Sequence, residues 1–147
     1  MSEYMPSVLE RELREAGLRV TSQRLQVFKI VSESDAHLSA EDIHVLVREQ
    51  DGDASLATVY RTLKVLREAG LVAPHYLGKD HEKEHFEPSS KPEHFHFTCH
   101  RCGQVFEFET ELVNALKTRL RKDKGWVLGH ACMCLEGLCS DCKTMYA

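Results

Sequence analysis

The residues with the most chemical content lie in the second half of the chain, where cysteine and histidine recur at ligand spacing. Cys99 and Cys102 form a C-x-x-C knuckle, and Cys139 and Cys142 form a second one close to the end of the sequence. Four thiolates from two such pairs suit a closed tetrahedral zinc site. The segment from Gly103 to Leu138 is longer than a compact zinc ribbon needs, so the second knuckle must fold back onto the first across a subdomain. Just ahead of the first knuckle stand His94 and His96. Alternate residues of a strand share a face, so this H-x-H pair can present two imidazoles to one ion. Glu87 upstream and Glu107 beyond the knuckle bring carboxylates to the same stretch. Nitrogen and oxygen donors suit iron, manganese, zinc or nickel, whereas thiolates favour zinc. Two sites are expected, one structural and one separate and exchangeable. The plain alternatives are buried free cysteines, solvent-facing strand histidines and ordinary surface acids. Side by side in one stretch, these residues favour ligation.

Bulk composition narrows the function classes. The chain has 147 residues, 42% hydrophobic content and a formal net charge of −4. One domain or two small ones fit that length. No apolar run is long enough to span a membrane, and MSEYMPSVLERELRE has no signal-peptide core, so a cytoplasmic protein is expected. Six cysteines in C-x-x-C pairs without an export signal point to metal rather than disulfides. Neither half of the chain is basic, so any DNA binding must use a local basic face and depend strongly on salt.

The elements that must position these residues follow from periodicity and caps. Ser7 to Ala16 reads as a first helix, with Gly17 as its cap. Thr21 or Ser22 opens a second, SQRLQVFKIVSE, with a broad apolar stripe from Leu25 to Val31. Ser39 followed by Asp42 is a capping-box start to AEDIHVLVREQ, and Asp51-Gly52-Asp53 is a turn. Ser55 opens LATVYRTLKVLREAG, ended by Gly70. Two helices joined by a short glycine-containing turn read as a helix-turn-helix, whose second helix enters the major groove and here exposes Thr58, Tyr60, Arg61 and Lys64. The plainer alternative is a solvated helix face on an ordinary bundle. LVAPHYLG and KEHFE around Gly78-Lys79-Asp80 have the pattern of a β-wing, and His75, His81, His85 and His100 are read as wing or surface residues. The Pro- and Ser-containing stretch 88–93 is read as a hinge between a DNA-binding domain, 1–87, and a second domain, 94–147. In the latter, HFHFTC and QVFEFE read as strands, Leu112 to Lys124 as an amphipathic helix, and WVLGHACMCLEG as a third strand. The fold class is α+β, and the second domain is small enough to need its zinc. Cys132 and Cys134 alternate in that last strand, as two small buried hydrophobes or as a redox or further metal pair.

With these residues in place, the chain resembles the ferric uptake regulator (Fur) family over nearly its whole length. The likeness is carried by R-V-T-S-Q-R (Arg19–Arg24), H-L-S-A-E-D-I (His37–Ile43), S-L-A-T-V-Y-R-T-L (Ser55–Leu63), H-F-H-F-T-C-H-R-C-G (His94–Gly103) and G-L-C-S-D-C (Gly137–Cys142). The resemblance implies a homodimeric, metal-dependent repressor that binds palindromic double-stranded operator DNA. Its N-terminal domain would be a winged helix and its small C-terminal α/β domain would dimerise around the structural zinc. The regulatory ion would be Fe²⁺ or another divalent metal such as Mn²⁺ or Zn²⁺, held by His37, Glu87, His94, His96 and Glu107. Arg19, Tyr60 and Arg61 match family positions that face the DNA grooves. Departures are informative too. Many members build a further site from an Asp between the two H-x-H histidines, an acid on the following helix and a late histidine. Here Phe95 and Asn114 occupy or adjoin the first two positions and His130 lies near the third, so that site is not expected. Glutamates at 87 and 107 lean toward metal sensing rather than peroxide sensing, and no cysteine joins the five positions as in zinc-sensing relatives.

Two other classes use the same ligands. A zinc hydrolase would need an open coordination position and a general base. H-E-K-E-H (His81–His85) has the H-E-x-x-H spacing, but it falls in the stretch read as a wing rather than on a helix, and the chain offers no evident substrate-binding domain. A metal storage protein would need no recognition helix. No membrane and no small-molecule substrate is expected as a partner.

Overall fold

The computed structural model describes residues 7–77, 83–129 and 131–144. The Gly78-Lys79-Asp80 turn, His81 and His130 lie outside them. The chain divides into two compact units. The first comprises the described residues up to His75 together with Glu84–Lys91, and the second comprises the remainder, chiefly the chain from Pro92 onward. No described helix is long and apolar enough to cross a membrane.

Local capping chemistry sets the helices of the first unit. Helix α1 (Val8–Glu15) starts where the Ser7 hydroxyl accepts from the Glu10 amide while the Glu10 carboxylate accepts from the Ser7 amide. Helix α2 (Ser22–Glu33) is capped by Thr21, which accepts from the Arg24 amide. Strand β1 (Leu38–Ser39) leads into helix α3 (Ala40–Glu49), where Ser39 and Asp42 repeat the reciprocal cap. Helix α4 (Leu56–Glu68) begins at Ser55. It ends at Gly70, whose φ of +74° brings the Leu71 amide 2.9 Å from the Leu66 carbonyl. Each of these starts falls where the side-chain acceptor pattern puts it.

The apolar stripes of the four helices meet in one core, built around Leu13, Val27, Val31, Ile43, Val47, Val59, Leu63 and Leu66. Strands β2 (Val72–Leu77) and β3 (Lys83–Pro88) form the wing, and Val72 and Phe86 cover the core with it. The sheet order is β1-β3-β2. The two-residue β1 pairs antiparallel with β3 through Leu38↔Phe86 and Ser39↔His85. One step along the same register sets His37 against Glu87.

In the second unit β4 (Phe95–Cys99) is the central strand. It pairs antiparallel with β5 (Val105–Phe108) and parallel with β6 (Cys134–Gly137). Helix α5 (Leu112–Lys124) and the short α6 (Ser140–Thr144) complete it. The expected strand WVLGHACMCLEG shortens to its last four residues. Pairing with β4 starts at His96↔Cys134, because β4 itself starts at Phe95, and the residues from Trp126 to Gly129 and from Ala131 to Met133 find no ladder. Helix α5 matches its expected bounds, but of its apolar residues only Val113 is buried. Leu112 and Leu116 are 78% and 55% exposed. Cys99, Cys139 and Cys142 form one buried cluster with Phe97 packed against them, and Phe95 is buried as well.

The turn between α3 and α4 depends on Gly52. A Cβ there would meet the Gln26 amide oxygen and lie 2.6 Å from the Val47 Cγ1, and Val47 is fully buried. Gly52→Ala should lower stability by about 1–3 kcal/mol, the range for overpacking a close contact. Urea unfolding followed by circular dichroism would show it as a lower midpoint at unchanged slope. An unchanged midpoint would mean that the α3–α4 turn has slack.

Candidate metal centres and nucleic-acid interface

The two C-x-x-C knuckles come together at one end of β4. Cys99 closes the strand, Cys102 follows in the turn, Cys139 precedes α6 and Cys142 lies within it. Their four sulfurs all lie within 4.8 Å of one another. Cys102 and Cys139 are 3.9 Å apart. A tetrahedron with Zn–S bonds of about 2.3 Å has edges of about 3.8 Å, so this spacing fits the ion. The backbone favours thiolate at Cys99. Amides of Cys102 and Cys139 aim at its sulfur, the latter at 3.4 Å, and lower its pKa to about 6. Cys142 is pushed up to about 12, first by its contact with the Cys139 sulfur and then by burial. Four sulfurs this close oppose one another's ionisation, and a shared cation relieves that opposition. This is a closed, zinc-like site of four cysteines.

The five nitrogen and oxygen donors divide between the units. In the second unit His94 and His96 are buried, with ring centroids 4.9 Å apart and planes at 78°. His94 precedes β4 rather than lying in it, yet the H-x-H spacing still brings both rings together. Across the ladder His96 pairs with Glu107, whose Oε1 lies 3.9 Å from the His94 Nε2 and 4.0 Å from the His96 Nε2. The His94 Nδ1 lies 2.9 Å from the Pro92 carbonyl, so Nδ1 carries the proton and donates. Nε2 is then the basic nitrogen, the arrangement seen when a histidine ligates metal. Glu107 is half exposed, which leaves an approach for an ion.

In the first unit the β1–β3 register brings His37 to Glu87, with 3.7 Å between Nε2 and Oε2. Glu87 is a buried carboxylate, and the Lys91 ammonium lies 4.0 Å from the same oxygen. A residue read as wing surface also belongs here. His75 is 3% exposed, and its Nε2 contacts the Glu87 Oε1. Its ring lies edge-on to that of His37, with centroids 6.4 Å apart. The available signal was the two-residue period of the wing strand, which puts His75 on the same side as the apolar Leu77.

At the other residues singled out, Phe95 is buried and packs on Phe108, and the Asn114 amide donates to Glu111. Cys132 is exposed rather than buried. Cys134 is half-buried and donates to the Tyr76 carbonyl at 3.3 Å, and burial raises its pKa.

On α4, Tyr60, Arg61 and Lys64 are exposed, as is Arg19 ahead of α2. Thr58 departs from expectation. It is half-buried, and its hydroxyl lies 3.0 Å from the Ser55 hydroxyl and accepts from Arg61 at 3.2 Å, so it works in the cap and orients the arginine. The Tyr60 hydroxyl donates to Glu41 at 2.8 Å, and that bond raises the tyrosine pKa.

Comparison with known proteins agrees with this geometry. The model of the ferric uptake regulator family matches residues 15–136. The ferric uptake regulation protein of Campylobacter jejuni is 34% identical over 137 residues, covering 92% of this chain and 86% of its own. Among solved structures, the ferric uptake regulator of Pseudomonas aeruginosa with manganese superposes with a TM-score of 0.76 at 32% identity, covering 91% of this chain and 99% of its own. That of Francisella tularensis with iron gives 0.67 at 26%, covering 86% and 96%. A winged helix-turn-helix unit, a four-cysteine zinc-like centre and an H-x-H pair facing a carboxylate thus stand in one order on one chain, which belongs to the ferric uptake regulator family.

Proposed function

We propose that the chain is an iron-sensing transcriptional repressor that binds palindromic operator DNA as a homodimer when a divalent ion is bound. The observation that carries this reading is the buried His94–His96 pair, with the His94 tautomer set by the Pro92 carbonyl and both Nε2 atoms facing Glu107. The ligands on this reading are His37 and Glu87 from the DNA-binding domain, 1–87, and His94, His96 and Glu107 from the domain 94–147, with the hinge at 88–93. Bound to donors from both domains, the ion would supply a crosslink that favours one disposition of the two recognition helices of a dimer. Three histidines and two carboxylates suit Fe²⁺, with Mn²⁺ and Zn²⁺ as competitors.

The remaining work falls to the protein's own groups. Cys99, Cys102, Cys139 and Cys142 hold structural zinc and stiffen a unit in which three of these sulfurs pack with Phe97 as one buried cluster. Helix α5 carries the exposed Leu112 and Leu116, and β5 carries the exposed Val105 and Phe106, an apolar surface suited to a second copy of the chain. Arg61 and Lys64 enter the major groove with Tyr60, while Arg19 reaches phosphate or the minor groove. No catalytic role is proposed for any residue.

Fluorescence anisotropy with a labelled family-type palindrome tests the switch. Protein holding only its structural zinc should bind weakly and gain affinity on anaerobic addition of Fe²⁺ or Mn²⁺. His96→Ala should lose the metal-dependent increment while keeping its zinc content. Binding that ignores added metal would overturn the reading.

Arg61→Ala should weaken operator binding by about 1–3 kcal/mol, with metal binding intact, if the arginine reads a base. Equal affinities of variant and parent would remove α4 from the interface.

Cys99→Ser should release the structural zinc, measured by a chromogenic chelator, and dissociate the dimer in analytical ultracentrifugation. A dimer that survives zinc loss would show that the apolar face alone suffices.

A further inference from the structure

Beyond the five proposed ligands, the first unit buries one more histidine against them, His75, and the proposed function has no use for it. We infer that His75 is a positioning residue that fixes the Glu87 carboxylate for metal capture. The inference rests on the reading of Glu87 as a ligand.

The two oxygens of Glu87 have different neighbours. Oε1 contacts the His75 Nε2, while Oε2 lies 3.7 Å from the His37 Nε2 and 4.0 Å from the Lys91 Nζ. Glu87 is 5% exposed and His75 3%, so water competes for neither. A glutamate side chain has a soft terminal torsion, and an unanchored carboxylate would rotate between its two neighbours. The His75 Nε2 lies against Oε1 without the alignment of a hydrogen bond, and on this inference a small turn of the ring brings its N–H onto Oε1 and stops that rotation. Oε2 then remains turned to His37, where 3.7 Å leaves room for an ion between an imidazole and a carboxylate oxygen. The His75 Nε2 stands directly against the Glu87 Oε1, which leaves no such room. His75 therefore acts through Glu87 rather than as a further ligand. The T-shaped packing of the His75 ring against that of His37 steadies the second donor as well.

Hydrogen bonds to ligating carboxylates commonly change metal affinity about 10- to 100-fold when removed. The test is a Mn²⁺ titration of full-length, zinc-retaining protein in competition with a chelating dye, beside thermal unfolding. His75→Leu should bind Mn²⁺ about 10- to 100-fold more weakly. His75→Gln keeps an N–H donor on a similar arm and should stay within about threefold of the parent. Should the leucine variant fail to fold, His75→Asn replaces it, since its shorter amide cannot reach Oε1. Unchanged affinity in the leucine or asparagine variant would overturn the inference. So would a glutamine variant as weak as leucine, because the imidazole itself would then be ligating. Glu87→Ala is the control that separates the two levels. If it binds Mn²⁺ like the parent, the ligand set is wrong, whereas a weak Glu87→Ala beside a normal His75→Leu removes only the positioning role.

Discussion

Everything functional in the second unit hangs on one strand, and a cluster of sulfurs holds that strand in place. β4 has β5 on one side and β6 on the other, and five residues carry its whole load. Cys99 ends it within the four-cysteine centre, His96 sits inside it and His94 immediately precedes it. The Cys139 amide reaches the Cys99 sulfur and the His100 amide reaches the Gly137 carbonyl, so both ends of the β6 connection are tied at the knuckle. Three of the cysteines form one small buried cluster of this unit with Phe97 packed against them, and Phe95 and Val113 are buried as well. A core that small supplies little stabilisation by itself, and units of this size depend on a metal or a partner subunit. On the proposed reading, the structural ion and the exchangeable one would be coupled through a single piece of backbone. The register His96↔Glu107 that brings imidazole to carboxylate lies three residues from the Cys99 anchor on the same strand.

The first unit solves a different problem, which is to present a helix without depending on metal. Each helix start in it is satisfied by a side chain of its own sequence, a contribution of about 1 kcal/mol per cap. The broad core from Leu13 to Leu66 needs no staple. The side of this unit that carries His37 and Glu87 depends on a much smaller feature. Two residues of β1 pair with β3, and that short ladder alone brings His37 to Glu87.

That contrast explains what was legible in the amino-acid order. Ser39 with Asp42 and the glycines after α1 and α4 are local signals, and the structure follows them. The C-x-x-C and H-x-H groups were legible because ligand spacing is itself local within each pair. Long-range pairing was not. The burial of His75 did have a signal in the alternation of β2, whereas a two-residue strand has no periodicity, so β1 left no trace. The over-long sixth strand has the same origin: how far β6 runs is decided by where β4 begins. Thr58 differs from its expected exposure because position along a helix indicates a face but not that a hydroxyl is already engaged in the cap.

The charge distribution on α4 bears on why a switch of this kind can work at all. The chain is acidic overall, and the basic groups of this helix have acidic neighbours. Arg67 pairs with Glu84 at 2.8 Å, Lys64 lies 4.0 Å from Glu68, and the Tyr60 hydroxyl is held by Glu41. Arg61 instead donates to the neutral Thr58 hydroxyl at 3.2 Å, so it retains its full charge for DNA. On the proposed reading, a recognition helix so balanced would make few phosphate contacts and bind DNA weakly as a single head. Weakness in each head is what gives geometry its leverage. Two heads held at the right spacing gain the effective concentration of a linked pair, commonly about 10²- to 10⁴-fold, and two heads held otherwise gain nothing. A strongly basic helix would bind in either disposition, and an ion that selects between dispositions would then change little. On the proposed reading, the acids around α4 are therefore part of the metal response, because they keep the uncoupled protein off DNA.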